Sequence, residues 1–389
     1  MNMRKKICFC TTLGGTINAF LVDFSLYLVE HEDYDVTWIA GDDERLHKYV
    51  NEHIHFIPLN MKRGLGLDGP LMIWKMYRIF KREKFDIVQY STPNAALYAS
   101  IALKMAGVKN RLYCQWGIRY TGYDRGFKRV VFKIVEKITC LCSSIIESES
   151  YSLKSFSLNE GLYSRDKCSV VGSGSACGVN LDRYNMPNKP AWRKEVRKEL
   201  GISEDARVFG YCGRITRDKG LNELFTAFKE VTEDENRKTD AYLIIIGRDD
   251  HSETIKPELF SWAKSSPYVK FTGYTTNVPK YYSALDVFTS LSYREGFGLV
   301  VIEAAAMGVP GIVSDALGQR DTIEHMKTGY LVRTHSVGDV VEAMNFFIAH
   351  PEKAEEMGVT ARKVVEEQYE QKELFRRLAV HRNQLITQP

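Results

Sequence analysis

Residues 286–310 read DVFTSLSYREGFGLVVIEAAAMGVP, and their hydrophobic pattern changes twice. A short run rich in valine, phenylalanine and threonine comes first and is typical of a buried strand. A polar loop with two glycines follows, and then an apolar segment long enough for a short helix. The strand-like run PGIVSDA comes next, at residues 310–316. Strand, helix and strand in this order predict one parallel unit of an α/β sheet.

The same alternation runs through the rest of the chain. In the first half the strand candidates are KICFCTT, YDVTWIAG, HIHFIPLN, FDIVQYST, RLYCQWG, SSIIESES and CSVVGSG. In the second half they are RVFGYCG, AYLIIIG, VKFTGY, DVFTSLS, PGIVSDA and GYLV. Amphipathic segments such as residues 15–31, 94–106 and 123–142 lie between them and predict helical stretches. The pattern predicts α/β domains with doubly wound parallel sheets.

The length of the chain predicts two such domains. At 389 residues it exceeds what one hydrophobic core usually organises. The segment 180–191 is polar and contains two prolines, so we expect the linker there. We place the first domain at residues 1–183 and the second at 184–367, and expect a C-terminal helix, about residues 368–389, to pack back on the first. Two Rossmann-like domains of this kind predict a central cleft between their facing strand ends, where ligands of open α/β sheets bind.

Composition argues against several classes of protein. The eight cysteines form no C-x-x-C pair, and the HIH run at residues 53–55 has no third ligand nearby, so we expect no metal site. No motif for nucleic-acid binding is present. The N-terminal apolar stretch is too short for a signal peptide, and no apolar run reaches the roughly 18 residues that a membrane-spanning helix needs. We therefore expect a cytoplasmic protein, in solution or on a membrane surface.

Basic residues are concentrated in two stretches of the first half, although the net charge is only +4. These stretches are WKMYRIFKREK at residues 74–84 and RGFKRVVFKIVEK at residues 125–137. Both have helical spacing, with cations interleaved among apolar residues. They are consistent with ordinary amphipathic helices that have a solvated basic face. They are equally consistent with a patch that docks on anionic lipid head groups.

Two glycine-containing turns are candidate phosphate sites. The loop GYCGRITRDKG, residues 210–220, places Arg214 and Lys219 just before a predicted helix. Two cations beside a helix N-terminus favour a diphosphate site, although solvated surface cations explain the spacing equally well. The pair Gly14 and Gly15 follows the first strand and allows a ligand to approach the backbone, or serves turn geometry alone.

Two glutamates of the opening stretch are candidate ligands of a nucleotide sugar. Glu295 lies in the loop and faces the predicted cleft. Glu303 lies in the apolar helix, where a carboxylate can accept two hydrogen bonds from a ribose diol. Gly296 and Gly298 expose backbone N–H groups where that helix begins. A glycosidase acid and nucleophile fit less well, because Glu303 is surrounded by apolar residues and no partner carboxylate is evident.

The second half of the chain resembles glycosyltransferase family 4, whose members are retaining enzymes of the GT-B fold. EGFGLVVIE is similar to the E-x7-E motif of that family. The motifs that match, in order, are GRITRDKG, IIIGRDD, FTGYTTNVPKYYSALDVFTSLSYREGFGLVVIEAAAMGVPGIVSDALG and TGYLV. In the first half, GSGSACGVNLDRY at residues 172–184 resembles the interdomain segment of one branch. That branch builds capsule, exopolysaccharide and O-antigen units on polyprenyl diphosphate carriers.

The resemblance implies a role for each matching position. Arg214 and Lys219 would bind the donor diphosphate, Glu303 the ribose and Glu295 the donor sugar, with backbone near Tyr274 beside the base. It also implies transfer with retention and without a bound metal or other cofactor, the departing diphosphate acting as base. Further donor-binding positions are Gly14, Gly15, Gly213, Gly296, Phe297, Gly298 and Leu299.

The chain departs from the family pattern at two places. Trp116 stands before a glycine where many members have a histidine, so we expect Trp116 or Arg119 to shape the acceptor side instead. The second departure is the loop ALGQRD, residues 316–321. Family members usually have two glycines, a proline and an acidic residue there, and this chain keeps only Gly318 and Asp321.

The sequence thus predicts a hexosyl or N-acetylhexosaminyl transferase of cell-surface polysaccharide biosynthesis. Its donor would be a nucleotide sugar, a UDP-sugar rather than a GDP-sugar. Its acceptor would be a polyprenyl-diphosphate-linked or other glycan, met by a peripheral enzyme on the inner face of the cell membrane. Two alternatives stay open: a sugar-nucleotide epimerase of the same fold, and a non-catalytic sugar-binding protein.

Overall fold

The chain forms two compact units. The first comprises Met1–Cys177 together with Lys372–Pro389, and the second comprises Gly178–Gln371. The chain thus leaves the first unit a few residues before the boundary expected from the sequence, and returns to it a few residues after the second boundary. The computed structural model describes residues 4–62, 64, 66, 68–122, 126–233, 240–249 and 252–387.

The first unit is built on a sheet of seven strands in the order β3-β2-β1-β4-β5-β6-β7. All neighbouring strands are parallel. Helices cover both faces of such a sheet, which is why its central strands read as almost continuous apolar runs. The strands are β1 (Lys5–Leu13), β2 (Tyr34–Gly41), β3 (Ile54–Pro58), β4 (Ile87–Tyr90), β5 (Asn110–Gln115), β6 (Ile145–Ser148) and β7 (Cys168–Ser169).

Seven α-helices lie between and after these strands in the described residues before Cys177, and an eighth comes from the C-terminal segment of the chain. The seven are α1 (Gly14–Phe20), α2 (Val22–His31), α3 (Glu44–His47), α4 (Gly69–Glu83), α5 (Pro93–Ala106), α6 (Phe127–Cys142) and α7 (Tyr151–Asn159). The segment 15–31 is helical as predicted, and the chain makes two helices there, divided at Leu21. Leu21 has a non-helical backbone, with φ −123° and ψ −16°. Its side chain is buried. Tertiary packing therefore interrupts the helix where the sequence has no glycine or proline.

The second unit has a sheet of six parallel strands in the order β10-β9-β8-β11-β12-β13. Its strands are β8 (Arg207–Cys212), β9 (Ala241–Ile246), β10 (Val269–Gly273), β11 (Val287–Ser290), β12 (Gly311–Ser314) and β13 (Gly329–Val332). The chain winds outward from β8 in one direction and from β11 in the other. The point where the strand order reverses therefore lies between β8 and β11. Each strand candidate from the sequence is confirmed, and so is the doubly wound α/β class.

The helices of the second half are longest near the end of the chain. They are α8 (Lys189–Leu200), α9 (Leu221–Glu233), α10 (Pro257–Ser265), α11 (Val278–Tyr282), α12 (Leu299–Ala306), α13 (Val337–Ala349), α14 (Pro351–Gln368) and α15 (Gln371–Thr387). Among the described residues, no helix is long and apolar enough to cross a membrane.

Helix α15 completes the core of the first unit. The guanidinium of Arg382 is buried and donates hydrogen bonds to Glu147 at the end of β6 and to Gln89 Oε1 in β4, the latter at 2.8 Å. His381 Nδ1 lies 2.8 Å from Glu147 Oε2. Burial alone would raise the pKa of Glu147, but Arg382 and His381 outweigh it and hold that pKa well below its usual range. A buried ion pair therefore ties the last helix to the first sheet.

Two lysines of α6 have partners within the first unit. Arg125, which begins the basic stretch 125–137, lies outside the described residues. Lys133 pairs with Glu160 at 2.7 Å, and Lys137 donates to the carbonyl oxygens of Gly161 and Leu162. These cations turn toward acceptors within the unit, so α6 shows solvent a mainly apolar face.

Candidate active site

The candidate site lies at the carboxyl ends of β8 and β11, where the strand order of the second sheet reverses. Two loops leave these strand ends: residues 213–220 carry Arg214 and Lys219, and residues 291–298 carry Glu295. The backbone N–H of Tyr293 donates to the carbonyl oxygen of Asp218 at 3.0 Å, which holds the loops together. The sheet topology thus brings together side chains that are distant in sequence.

An ion pair joins the two loops. Lys219 Nζ contacts Glu295 Oε1, and each side chain is 21% exposed. The hydroxyl of Ser292 donates to the same carboxylate oxygen at 2.8 Å. The ammonium of Lys219 has three donors and uses one of them here, so it can also contact a bound anion. The structure therefore orients both side chains before any ligand arrives.

Arg214 is the more exposed cation of the site, with 55% of its side chain accessible. The hydroxyl of Tyr211 donates to the Arg214 carbonyl oxygen at 2.6 Å and fixes the backbone there. Arg214 Nη2 lies 3.8 Å from Asp218 Oδ2, a loose pairing that leaves the guanidinium accessible. Burial would raise the pKa of Asp218, but a hydrogen bond from Thr216 and the nearby cations Arg214 and Lys219 lower it.

Glycines shape the turn that leads into α12. Gly298 is the N-cap of α12 in a left-handed conformation, φ +103°, which side-chain-bearing residues rarely adopt. A methyl group on Gly318, φ +80°, would overlap the carbonyl oxygen of Gly296. The loops therefore approach each other through backbone, and the N–H of Leu299 lies at the start of the helix. The ring of Phe297 is buried against Tyr369, so at Phe297 only the backbone is available to a ligand.

Glu303 lies one further turn along α12 and is half-buried. The hydroxyl of Tyr184, from the segment that follows the first unit, donates a hydrogen bond to its carboxylate. The hydroxyl of Tyr282 lies near the same carboxylate and acts to lower its pKa. Burial raises the pKa of Glu303 above its usual range, although Tyr184 and the charge of Arg183 oppose the shift. The arrangement orients a carboxylate that can still accept hydrogen bonds from a diol.

Tyr274 lies just beyond β10, at the far side of the strand reversal from Glu303. Its side chain is 61% exposed. The guanidinium of Arg248, which follows β9, lies 4.6 Å from the centre of its ring. A cation stacked on an exposed ring gives a flat surface for another planar group. The motif IIIGRDD contains Arg248, but its spacing gave no reason to assign it a role.

Gln319 belongs to the site although the sequence analysis assigned it no role. It is fully buried, and its amide donates to the Ser290 carbonyl oxygen at 2.9 Å and to Ser314 Oγ at 2.6 Å. Its own oxygen accepts from Ser290 Oγ at 2.6 Å. Ser314 Oγ donates to the Ser292 carbonyl oxygen at 2.6 Å. One amide thus holds the ends of β11 and β12 and, through Ser292, the loop of Glu295.

The glycine pair expected to bind the donor and the two residues expected on the acceptor side lie in the first unit. Gly14 is buried directly after β1, and Gly14 and Gly15 begin α1. The ring of Trp116 packs at 5.5 Å from that of Phe20. Trp116 also lines a pocket at the carboxyl edge of the first sheet, together with Gln89, Glu147, Glu149, Ser175 and Arg382. The guanidinium of Arg119 lies 4.2 Å from the Phe132 ring centre, so it packs on α6.

Two family models match consecutive parts of the chain. The model described as Glycosyltransferase Family 4 matches residues 17–171, and the model described as Glycosyl transferases group 1 matches residues 193–364. The chain is 30% identical over 366 residues to the capsular polysaccharide biosynthesis glycosyltransferase CapM of Staphylococcus aureus. That match covers 94% of this chain and 93% of CapM. The chain is a glycosyltransferase of this family.

Other relatives of this glycosyltransferase support the same assignment. It is 24% identical to an Escherichia coli enzyme named UDP-Gal:alpha-D-GlcNAc-diphosphoundecaprenol alpha-1,3-galactosyltransferase, over 85% of this chain and 84% of that one. The solved structure of Anabaena HepE in complex with UDP and glucose superposes with a TM-score of 0.78 at 18% identity. That alignment covers 97% of this chain and 99% of HepE, and it identifies the fold as GT-B.

Proposed function

We propose that this glycosyltransferase moves a sugar from a UDP-sugar to a lipid-linked saccharide, with retention, in the assembly of a cell-surface polysaccharide. The observation that carries the proposal is the Lys219–Glu295 ion pair at the strand reversal of the second sheet, with Arg214 on the same loop as Lys219 and Glu303 on the helix that follows Glu295. Arg214 and Lys219 supply the charge that a diphosphate needs, and Glu295 and Glu303 supply acceptors for hydroxyl groups.

The donor is bound in three parts. Its diphosphate lies between Arg214, Lys219 and the backbone N–H groups where α12 begins, because charged donors and a helix N-terminus both favour an anion. Its ribose diol donates two hydrogen bonds to Glu303. Its base lies beside Tyr274 and contacts mainly backbone atoms. We therefore propose UDP because relatives are named for UDP-sugars, and not because a side chain recognises the base.

The transfer breaks the bond between the anomeric carbon and the diphosphate oxygen. The electron pair of that bond leaves with UDP, and Arg214 and Lys219 stabilise the negative charge as it develops. An acceptor hydroxyl attacks the anomeric carbon from the face that UDP leaves and forms the new glycosidic bond. Its proton passes to the departing diphosphate, while Glu295 orients the sugar hydroxyls. We propose that no metal ion takes part, and undiminished turnover in EDTA is the expected result.

We place the reaction on the inner face of the cell membrane, with the enzyme attached peripherally. The Escherichia coli relative is named for an acceptor on diphosphoundecaprenol. CapM is named for capsular polysaccharide. An acceptor of this class would remain in the bilayer, so the enzyme must reach the membrane surface.

Thermal denaturation of the full chain against UDP, GDP and ADP and their sugars tests the donor. A ligand that binds only the folded protein raises its melting temperature. We expect stabilisation by the UDP series, lost in Glu303→Ala and kept in the control Glu366→Ala, whose half-exposed carboxylate pairs with Arg362 on α14. Stabilisation by no nucleotide would overturn the proposal in favour of a sugar-binding protein.

Product analysis then tests the reaction. With donor and a diphospho-lipid saccharide, we expect UDP and an extended saccharide whose new linkage has the anomeric configuration of the donor. Inversion would contradict the retaining mechanism. Conversion of the donor alone into an epimeric sugar would identify an epimerase instead.

A further inference from the structure

Three helices of the first unit lie side by side, with α5 packed between α4 and α6. Together their outward surfaces form what we call the α4–α6 face. Helix α5 is mostly buried and contributes Lys104 and Met105, the latter 60% exposed. The character of this face is therefore decided mainly by the two outer helices.

Helix α6 presents a continuous apolar stripe to solvent. Its members recur at intervals of three or four residues, which places them on one side of a helix. Their exposed fractions are 83% for Phe127, 55% for Val130, 54% for Ile134, 37% for Ile138 and 58% for Leu141. Soluble proteins rarely leave such a row of large apolar side chains uncovered, so the stripe marks a contact surface.

The charges of α6 are largely withdrawn from that stripe. Lys133 pairs with Glu160, and Lys137 donates to backbone carbonyl oxygens of the following segment. Glu136 is buried and accepts from Tyr113 Oη at 2.9 Å and from Gln115 Nε2 at 2.7 Å. Lys128 is the charged residue that remains among the exposed positions of this helix. Helix α6 therefore offers hydrocarbon contact rather than a field of charge.

Helix α4 supplies the complementary charge. Leu71 and Trp74 are 49% and 52% exposed at its beginning. The cations exposed along the rest of the helix are Lys75, Arg78, Lys81 and Arg82. The guanidinium of Arg78 lies 5.0 Å from the Trp74 ring centre.

The α4–α6 face carries almost no negative charge. The structure describes every residue of the three helices, and their acidic side chains are Glu83 and Glu136. Glu136 is buried, and Glu83 accepts from Arg82 Nε at 2.7 Å. The face thus combines an apolar stripe, an exposed tryptophan and a row of cations, of which Arg82 pairs with Glu83. Anionic lipid head groups above acyl chains match all three features.

We propose that the α4–α6 face docks on an anionic bilayer, with the α6 stripe inserted among the acyl chains and the α4 cations at the phosphates. The use of this contact, which is to reach a membrane-borne acceptor, rests on the proposed function. The contact itself does not depend on catalysis. Because part of the binding comes from apolar burial, it persists in part at high salt, unlike docking by a basic patch alone.

Flotation of the full chain with vesicles tests the proposal. The vesicles are phosphatidylcholine alone, or phosphatidylcholine with phosphatidylglycerol. We expect flotation with the anionic vesicles, reduced but not abolished by salt. Ile134→Ser with Leu141→Ser should lower the bound fraction at low protein concentration by about tenfold or more. Lys75→Glu with Lys81→Glu should lower it and remove its salt dependence.

A matched control removes an exposed apolar residue elsewhere. Val359 on α14 of the second unit is 73% exposed, and Val359→Ser should float like the parent chain. Stabilisation by UDP should be unchanged in all these variants, which separates failure of this proposal from failure of the donor assignment. Equal flotation of the serine variants would overturn the proposal. Failure of the parent chain to float with anionic vesicles would also overturn it. A dimer of the parent chain that dissociates in the serine variants would overturn it too, because the α6 stripe would then be a contact between two copies.

Discussion

Lys219 and Glu295 form an ion pair although 76 residues separate them in the chain. Both side chains are four-fifths buried, and Ser292 donates to the same carboxylate. The pair has two consequences for a donor: it holds the cation at the strand reversal, and it presents the second carboxylate oxygen for a hydroxyl group. Lys219 and Glu295 therefore act as one unit rather than as two independent ligands.

A double-mutant cycle on this pair should reveal their coupling. We expect Lys219→Ala and Glu295→Gln each to lower kcat by roughly 10²–10³-fold, because each removes a group aimed at charge or hydroxyls of the transition state. The double variant should lose less than the product of the two effects. The measurement is kcat and KM for transfer, with circular dichroism to show that each variant is folded.

Lys229→Ala is the matched control for that cycle. Lys229 lies on α9 in the same unit and forms an exposed pair with Glu233 at 3.9 Å. Its loss should leave kcat unchanged. Full activity in soluble Lys219→Ala would remove Lys219 from the mechanism.

Nucleotide binding should weaken on acidification because of Glu303. Burial raises the pKa of this carboxyl, and its protonated form loses acceptor capacity toward the ribose diol. Binding is therefore complete above the raised pKa and falls by up to about tenfold per pH unit below it. Calorimetric titration of UDP across the acid range measures the effect. In Glu303→Gln the dependence should flatten, and an unchanged profile in that variant would assign the titration to another group.

Loss of the Gln319 amide should affect stability and catalysis together. Gln319→Ala removes the acceptor of the buried Ser290 hydroxyl and one hydrogen bond to Ser314 Oγ, at about 1–3 kcal/mol. It also loosens the loop of Glu295, so we expect kcat to fall more than KM changes. Gln319→Glu should not rescue either property, because a carboxylate cannot donate to the Ser290 carbonyl oxygen. Thermal melts and transfer kinetics give both readouts, and the exposed Gln384→Ala serves as control. Normal kcat in a destabilised Gln319→Ala would reduce the residue to a purely structural role.

Breaking the buried pair of α15 should destabilise the first unit. Arg382→Met leaves Glu147 charged and buried without its main partner, which typically lowers the free energy of unfolding by about 3–5 kcal/mol. Arg376→Ala on the same helix removes an exposed pair with Glu373 and should change the free energy of unfolding little. Urea unfolding followed by tryptophan fluorescence compares the two. A similar loss of unfolding free energy in both variants would show that burial of the Arg382 pair does not increase its contribution to stability.

The fold was predictable because its signals are local. Each strand candidate was a short run of β-branched and aromatic residues, and the parallel arrangement followed from the helices between them. The break at Leu21 was not predictable, since no glycine or proline marks it and the cause is packing. The basic spacing of α6 was visible in the sequence. The side of α6 that faces solvent could not be seen in the sequence, because it depends on where Glu160 and the carbonyl oxygen of Gly161 lie.

The candidate site divides in the same way. Arg214, Lys219 and Glu295 could be found because each stands in a loop after a strand, beside glycines. Tyr184 and Gln319 could not be found by that reasoning. Tyr184 reaches Glu303 from another part of the unit, and Gln319 acts through hydrogen bonds between neighbouring strand ends. Residues that position a site from a distance leave no spacing pattern of their own.

The pairing of Arg382 with Glu147 also sets an order of events during synthesis of the protein. The two residues lie 235 positions apart, and the whole second unit is translated between them. While the chain grows on the ribosome, the second unit has all its residues before the first has its closing helix. The carboxylate of Glu147 in a nascent first unit therefore lacks its main partner until α15 has been translated.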